Sequence, residues 1–183
     1  FGEITYSKPG EYTYEVREVK GDAGGITYSK NVATFKVTVT VNAKGELKAD
    51  VEKISGETEF KNTYSVKPVE DQITATKVLT GRDLKEGEFS FELVEGDKVV
   101  AKGTNAADGT IAMDKITYDK PGTHTYTLRE KLPNEAGLSN GITYDKTNYT
   151  IKTSVIDNGD GTLKVTHTPE GTKPARFENK YNT

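Results

Sequence analysis

The segment ITYDKPGTHTYTLRE, residues 116–130, joins a turn to a long alternating stretch. Pro121-Gly122 is typical of a turn, and from Thr123 onward polar and apolar side chains alternate with a period of two. That period is typical of a strand with one buried face. TFKVTVTV, residues 34–41, alternates in the same way, and Asp-Gly and Asn-Gly pairs typical of hairpins recur along the chain. The sequence therefore predicts an all-β protein made of immunoglobulin-like β-sandwich domains.

The same pattern occurs twice in the chain. ITYSKPGEYTYEVRE, residues 4–18, matches residues 116–130, and FKNTY, residues 60–64, matches FENKY, residues 177–181. The shorter segments GITYSK and GITYDK repeat between them, in the same order. Corresponding segments lie 112 to 117 residues apart. A repeat of this length indicates two homologous units arranged in tandem.

The two units are unequal. Phe1 aligns with Met113, so the first unit has no counterpart of roughly the first forty residues of the second. We therefore expect residues 1–65 to be the C-terminal part of an incomplete sandwich. Residues 66–70 are expected to be a stiff, proline-containing linker, and residues 71–183 a complete sandwich. The chain is expected to be a fragment, whose first unit is completed by a missing segment or by strand exchange with a neighbouring copy.

Composition excludes several classes of function. The 183 residues carry a net charge of −3 and no cysteine, which removes disulfides, thiolate nucleophiles and cysteine-based metal sites. The charges form no basic stripe for nucleic acid, and no apolar run is long enough to span a bilayer. His124 and His167, the only histidines, follow the strand alternation. We therefore expect no metal, no cofactor, and neither nucleic acid nor a membrane as a partner.

Strand parity places three polar side chains on otherwise apolar faces. These three side chains are Lys77 in ITATKVL, Glu130 in YTLRE and Asn179 in FENKY. Glu18 and Asn62 repeat the last two in the first unit. The alternative interpretation is that lysine and glutamate at strand ends extend to water and that asparagine bonds a neighbouring backbone group. The repetition in both units favours a functional role.

These three residue types can form a covalent bond with one another. Burial lowers the pKa of a lysine and raises the pKa of a glutamate, which leaves a neutral amine beside a protonated carboxyl. Lys77 Nζ can then attack Asn179 Cγ, while Glu130 donates to the side-chain carbonyl and shuttles protons. Loss of ammonia leaves a Lys–Asn isopeptide bond. The folded core supplies the proximity, and the reaction occurs once, without turnover.

The segments ATKVLTGR, ITYDKPGTHTYTLRE, GITYD and FENKY, in this order, resemble the pilin isopeptide-linkage domain of Gram-positive bacteria. The resemblance covers the second unit fully and the first in part. It implies a crosslink between Lys77 and Asn179, assisted by Glu130. In the first unit it implies that Glu18 is the equivalent acid and that Asn62 is a crosslink position without its lysine.

The resemblance also implies a function and a location. We expect a structural, load-bearing domain of a pilus or of a surface-protein stalk, extracellular at the bacterial cell surface, and not an enzyme. The expected partners are pilus subunits or other domains of the same surface protein. No LPxTG-like sorting signal is seen, which favours a stalk. The alternative function is an adhesive module that binds a host ligand through loops such as KLPNEAGLSNG, residues 131–141.

Overall fold

The computed structural model describes residues 1–133, 140–168 and 175–182, and within these residues it contains strands and turns but no α-helix. The all-β prediction is confirmed. The described part of the chain accordingly holds no helix long and apolar enough to cross a membrane. The chain divides into two compact units, residues 1–65 and 66–183.

The second unit is a β-sandwich. Among its described residues the strands are, in chain order, β6 (Val69–Asp71), β7 (Thr74–Thr80), β8 (Ser90–Glu95), β9 (Lys98–Thr104), β10 (Thr110–Ala112), β11 (Ile116–Tyr118), β12 (Gly122–Glu130), β13 (Ile142–Thr143), β14 (Asn148–Asp157), β15 (Leu163–Thr168) and β16 (Arg176–Tyr181). One layer has the order β10-β7-β16-β13 and the other the order β15-β14-β12-β8-β9. β6 and β11 form a small additional sheet.

Alternating side chains from both layers fill one core. Phe177 and Ile111 come from the four-stranded sheet, and Phe91, Leu128 and Tyr126 come from the five-stranded sheet. All five are almost completely buried. Removing this much apolar surface from water is the main stabilising contribution to the unit. The period-two pattern of the sequence therefore corresponds to the inward faces of two packed sheets.

The first and last long strands of the unit lie side by side. β7 and β16 are parallel neighbours, with Lys77 opposite Phe177 and Leu79 opposite Asn179. Paired residues in a sheet point to the same face, and so do residues two positions apart on one strand. Lys77 and Asn179 therefore project together into the core, although the chain between them forms most of the domain.

Residues 66–70, expected to be a linker, belong to the second unit in this structure. β6 pairs with β11, with Val69 opposite Tyr118, and the backbone N–H of Lys67 donates to the carbonyl of Gly161 at 2.8 Å. Val66 and Val69 pack against a small cluster that includes Tyr118. These contacts fix the segment to the sandwich because they bury its apolar side chains.

The first unit repeats about half of the second. Its strands are β1 (Gly10–Arg17), β2 (Ile26–Thr27), β3 (Val32–Val41), β4 (Leu47–Ser55) and β5 (Thr63–Tyr64). The sheet β1-β3-β4 has the same order as β12-β14-β15, and the pair β2-β5 corresponds to the pair β13-β16. β12 pairs with both β14 and β8, whereas in the described residues β1 pairs with β3 alone.

The outer strand of the first unit is exposed along its whole length. All nine residues of β4 are exposed, including Val51 at 68% and Ile54 at 54%. In the second unit the corresponding β15 contributes Leu163 to a small buried cluster, against which Val165, Val66 and Val69 pack. The outer strand of the first unit thus presents apolar side chains to solvent.

Candidate functional site

Three strands bring three polar side chains to one point in the core of the second unit. Lys77 on β7, Glu130 on β12 and Asn179 on β16 are 2%, 5% and 0% exposed. Lys77 and Asn179 come from one sheet and Glu130 from the other. All three residues that strand parity assigned to the apolar faces are therefore buried, and the structure places them together.

The carboxyl group of Glu130 bridges the other two side chains. Its Oε2 lies 2.8 Å from Lys77 Nζ, and its Oε1 accepts a hydrogen bond of 2.6 Å from Asn179 Nδ2. One carboxyl group thus contacts both the amine that would attack and the amide nitrogen that would leave. This is the arrangement needed for a proton shuttle between the two nitrogens.

The orientation of the Asn179 amide differs from the sequence-based expectation, in which Glu130 donated to the side-chain carbonyl. Asn179 Oδ1 instead accepts a 2.8 Å hydrogen bond from the backbone N–H of Asp145. A backbone N–H can only donate, so it holds the carbonyl oxygen on its side and directs Nδ2 to Glu130. The carbonyl and the amide nitrogen therefore have different partners.

The surroundings of the three residues are apolar. Lys77 Nζ lies 4.4 Å from the centre of the Phe89 ring and 5.9 Å from that of Phe91. Burial lowers the pKa of Lys77, although the hydrogen bond to Glu130 opposes this shift. Burial raises the pKa of Glu130, against the hydrogen bonds from Lys77 and Asn179. Both shifts favour a neutral amine beside a protonated carboxyl, because a buried charge is costly.

This arrangement has the parts required for acyl transfer. It holds a nucleophilic nitrogen, a carboxyl group that can both accept and donate a proton, and an amide whose oxygen faces a hydrogen-bond donor. The three side chains are buried, and this burial disfavours hydrolysis of the amide as a competing reaction. Among the described residues, no group of three or more histidine, cysteine or acidic side chains is arranged to hold a metal ion.

The first unit contains part of the same arrangement. Asn62 Nδ2 donates to Glu18 Oε1 at 2.6 Å, and the backbone N–H of Ser29 donates to Asn62 Oδ1 at 2.8 Å. Ser29 N–H also lies 3.2 Å from Glu18 Oε2. In the described residues no lysine forms an ion pair with Glu18, and Asn62 is exposed. The acid and the amide are therefore paired in both units, but the buried lysine occurs in the second.

Sequence reasoning missed the contribution of Asp145. The residue lies in the segment between β13 and β14, outside the strands that carry the other three, so strand parity gives no information about it. The signal that could have found it is the repeat GITYSK and GITYDK, which places Ser29 and Asp145 at the same position of the two units. A turn motif repeated together with the site residues is a candidate part of the site.

The other candidates from the sequence have separate environments. His124 Nδ1 lies 2.8 Å from Glu95, and His167 lies 3.1 Å from Asp71 and 2.9 Å from Thr153. None of these contacts involves Lys77, Glu130 or Asn179. The proposed binding loop, residues 131–141, lies mostly outside the described residues.

Comparison with known proteins identifies the family. A family model described as FctA, a Spy0128-like isopeptide containing domain, matches residues 1–65 and 73–182. A solved structure of the major pilin from Streptococcus pyogenes aligns at 21% identity over 99% of this chain and 73% of that one, with a TM-score of 0.30. A mutant of that pilin aligns at 20% identity over 99% and 74%, also with a TM-score of 0.30. No curated protein matches the chain. Because the family match covers nearly all of both units, the chain belongs to the family of Spy0128-like isopeptide-containing domains.

Proposed function

We propose that the second unit forms an intramolecular isopeptide bond between Lys77 and Asn179, assisted by Glu130, and that this crosslink makes it a load-bearing structural domain. The observation that carries the proposal is the double contact of the Glu130 carboxyl group, at 2.8 Å to Nζ and 2.6 Å to Nδ2, inside the core. The family assignment supports the same chemistry.

The reaction exchanges one nitrogen for another on Asn179 Cγ. The neutral Nζ of Lys77 attacks Cγ, and the carbonyl electron pair moves to Oδ1. Glu130 donates its proton to Nδ2 and takes a proton from Nζ, so the carboxyl group ends in the form in which it began. The tetrahedral intermediate then collapses, the Cγ–Nδ2 bond breaks, and ammonia leaves. The product is an amide between Nζ and Cγ, formed once per chain without cofactor or oxidant.

A crosslink at this place would carry mechanical load. β7 and β16 are parallel neighbours at opposite ends of the sequence of the unit. A pull on the two ends of the chain would reach Lys77 and Asn179, where the covalent bond would transmit it directly. Noncovalent stability totals only about 5–15 kcal/mol for a domain, so hydrogen-bonded strands alone would separate under sustained load. We therefore assign the domain a role in tension.

The proposed setting is a pilus or a stalk outside the cell. The chain belongs to the family of Spy0128-like isopeptide-containing domains, and its motifs resemble the pilin domain of Gram-positive bacteria. A crosslink made from lysine and asparagine needs no oxidising environment, which suits a chain without cysteine. The proposed partners are other pilus subunits or other domains of the same surface protein.

We propose further that the first unit is completed by additional chain that supplies a lysine. The Glu18–Asn62 pair is formed, and in the described residues β1, which leads to Glu18, is an edge strand of its sheet. A preceding segment of the same protein or a strand from a neighbouring copy would pair with β1, as β8 pairs with β12, and add the third residue.

Intact mass of the purified chain tests the proposal. The expected mass of the wild type is the sequence mass less one ammonia, since the first unit has no paired lysine in the described residues. Glu130→Ala is expected to have the full sequence mass. Glu178→Ala is the matched control, since Glu178 is an exposed acid on β16, and it is expected to lose ammonia like the wild type. A wild-type chain with the full sequence mass would refute the crosslink.

A further inference from the structure

We propose that Asp145 is a positioning residue for crosslink formation, whose backbone N–H stabilises the negative charge that develops on Oδ1 of Asn179. This inference rests on the proposed function. It names the group that stabilises the charge on Oδ1, a role that neither Lys77 nor Glu130 fills. Asp145 lies in the segment between β13 and β14. It contacts the reacting amide from the side opposite Glu130.

The geometry suits the transition state. The distance from Asp145 N to Asn179 Oδ1 is 2.8 Å, within the range of about 2.7–3.1 Å typical of donors that stabilise an oxyanion. When Lys77 Nζ attacks Cγ, the carbonyl electron pair moves onto Oδ1, and the charge forms at the atom that faces this N–H. Glu130 is engaged with Nδ2 and Nζ. The two roles, charge stabilisation and proton transfer, are therefore divided between two residues.

The Asp145 side chain holds its own backbone in place. One carboxylate oxygen accepts from the N–H of Thr147 at 2.8 Å, and the other accepts from the N–H of Glu178 at 2.9 Å. Glu178 is the residue before Asn179 on β16. Asp145 therefore contacts two successive residues of that strand, one through its carboxylate and one through its N–H. This double contact fixes the distance between the donor and the reacting carbonyl.

The first unit repeats the contact with a different side chain. Ser29 occupies the corresponding position, and its N–H donates to Asn62 Oδ1 at 2.8 Å, the same distance as in the second unit. Ser29 Oγ accepts from the N–H of Asn31 at 3.2 Å, which replaces the contact between Asp145 and Thr147. The two units share a backbone N–H that donates to the asparagine and a side-chain oxygen that accepts a hydrogen bond from the N–H two residues later. The contact thus belongs to the repeated motif and is independent of the particular side chain.

The test measures the rate of crosslinking in the full chain. The chain is made by cell-free synthesis, samples are stopped in acid at intervals, and intact mass gives the fraction that has lost ammonia. Asp145→Pro removes the N–H and is expected to slow the reaction by about a hundredfold or more. Asp145→Ala keeps the N–H but loses the side-chain hydrogen bonds to the N–H groups of Thr147 and Glu178. Asp145→Ser keeps the N–H and can still accept the hydrogen bond from the N–H of Thr147. We expect the serine variant to react faster than the alanine variant.

The pair of neutral variants separates positioning from charge. Alanine and serine both remove the negative charge of Asp145, so the two variants should share one pH profile and differ in rate alone. Lys180→Ala, at an exposed position of β16, is the control and is expected to react at the wild-type rate. Folding of every variant is checked by circular dichroism.

The outcomes are distinct. A folded Asp145→Pro chain that reacts at the wild-type rate would overturn the inference. If the proline variant does not fold, wild-type rates in both the alanine and the serine variants would overturn it, and a slow alanine variant with a faster serine variant would support it. A wild-type chain that keeps its full mass would instead refute the proposed crosslink, and with it any role of Asp145 in forming it.

Discussion

Replacing Lys77 with methionine should remove the crosslink while leaving the core filled. Lys77 is buried with its Nζ over the rings of Phe89 and Phe91, and methionine is an unbranched, apolar side chain of similar length. Glu130 keeps its hydrogen bond with Asn179 in this variant. The loss of stability in Lys77→Met should therefore come mainly from the missing covalent bond.

The magnitude follows from the length of the loop that the bond closes. Lys77 and Asn179 are 102 positions apart. By analogy with a disulfide, closing a loop of about 100 residues stabilises by about 4.7 kcal/mol through the unfolded state. Unfolding of a unit the size of residues 66–183 has an entropy of about 250 cal/mol/K near its midpoint, at about 2.1 cal/mol/K for each residue. The melting temperature of Lys77→Met should thus lie about 15–20 °C below that of the wild type.

The assay is thermal unfolding followed by circular dichroism, with intact mass measured on the same samples. Lys180→Met, at an exposed position of β16, is the matched control and should melt with the wild type. The double variant Lys77→Met/Glu130→Gln shows how much of the loss comes from leaving Glu130 without its amine. Midpoints of Lys77→Met and the wild type within about 5 °C of each other, in a wild type that lacks one ammonia, would refute the loop-closure argument.

Three further predictions concern pH, force and association. In Glu130→Gln, Lys77 stays unreacted and burial lowers its pKa, so the free energy of unfolding should fall as pH decreases below 10.5, the ordinary pKa of lysine. In Lys77→Met, burial raises the pKa of Glu130, so the free energy of unfolding should fall as pH rises above 4.5, the ordinary pKa of glutamate. Urea unfolding across pH checks both signs, and a pH-independent difference from Lys77→Met/Glu130→Gln would contradict the second. In single-molecule pulling, residues 66–76 precede the crosslink and should peel from their noncovalent contacts, at up to ~3.6 Å per residue, while residues 77–179 should not extend. Full extension of the wild-type unit would exclude the load-bearing role. Light scattering should show association of chains through the first unit as concentration rises, and a monomer at every concentration would count against strand exchange.

The candidate site could be predicted from the sequence to the extent that it depends on strand parity. Lys77, Glu130 and Asn179 each interrupt an apolar face, and alternation is a local property that a few neighbouring residues reveal. The repeat added Glu18 and Asn62 by direct comparison. The turn pairs and the alternation predicted an all-β protein for the same reason, since each depends on residues close together in the chain.

The contacts that make the site chemically competent depend on pairings between distant residues. The parallel alignment of β7 with β16 puts Lys77 and Asn179 on one face, and no local pattern specifies which strands become neighbours. The Asn179 amide could turn either way until the N–H of Asp145, 34 residues earlier, fixes its oxygen. The sequence by itself determined which side chains point inward, because that choice is made within each strand. Only the tertiary structure decided which atoms of those side chains meet, because each hydrogen bond at the site joins groups that come together when the sheets pack.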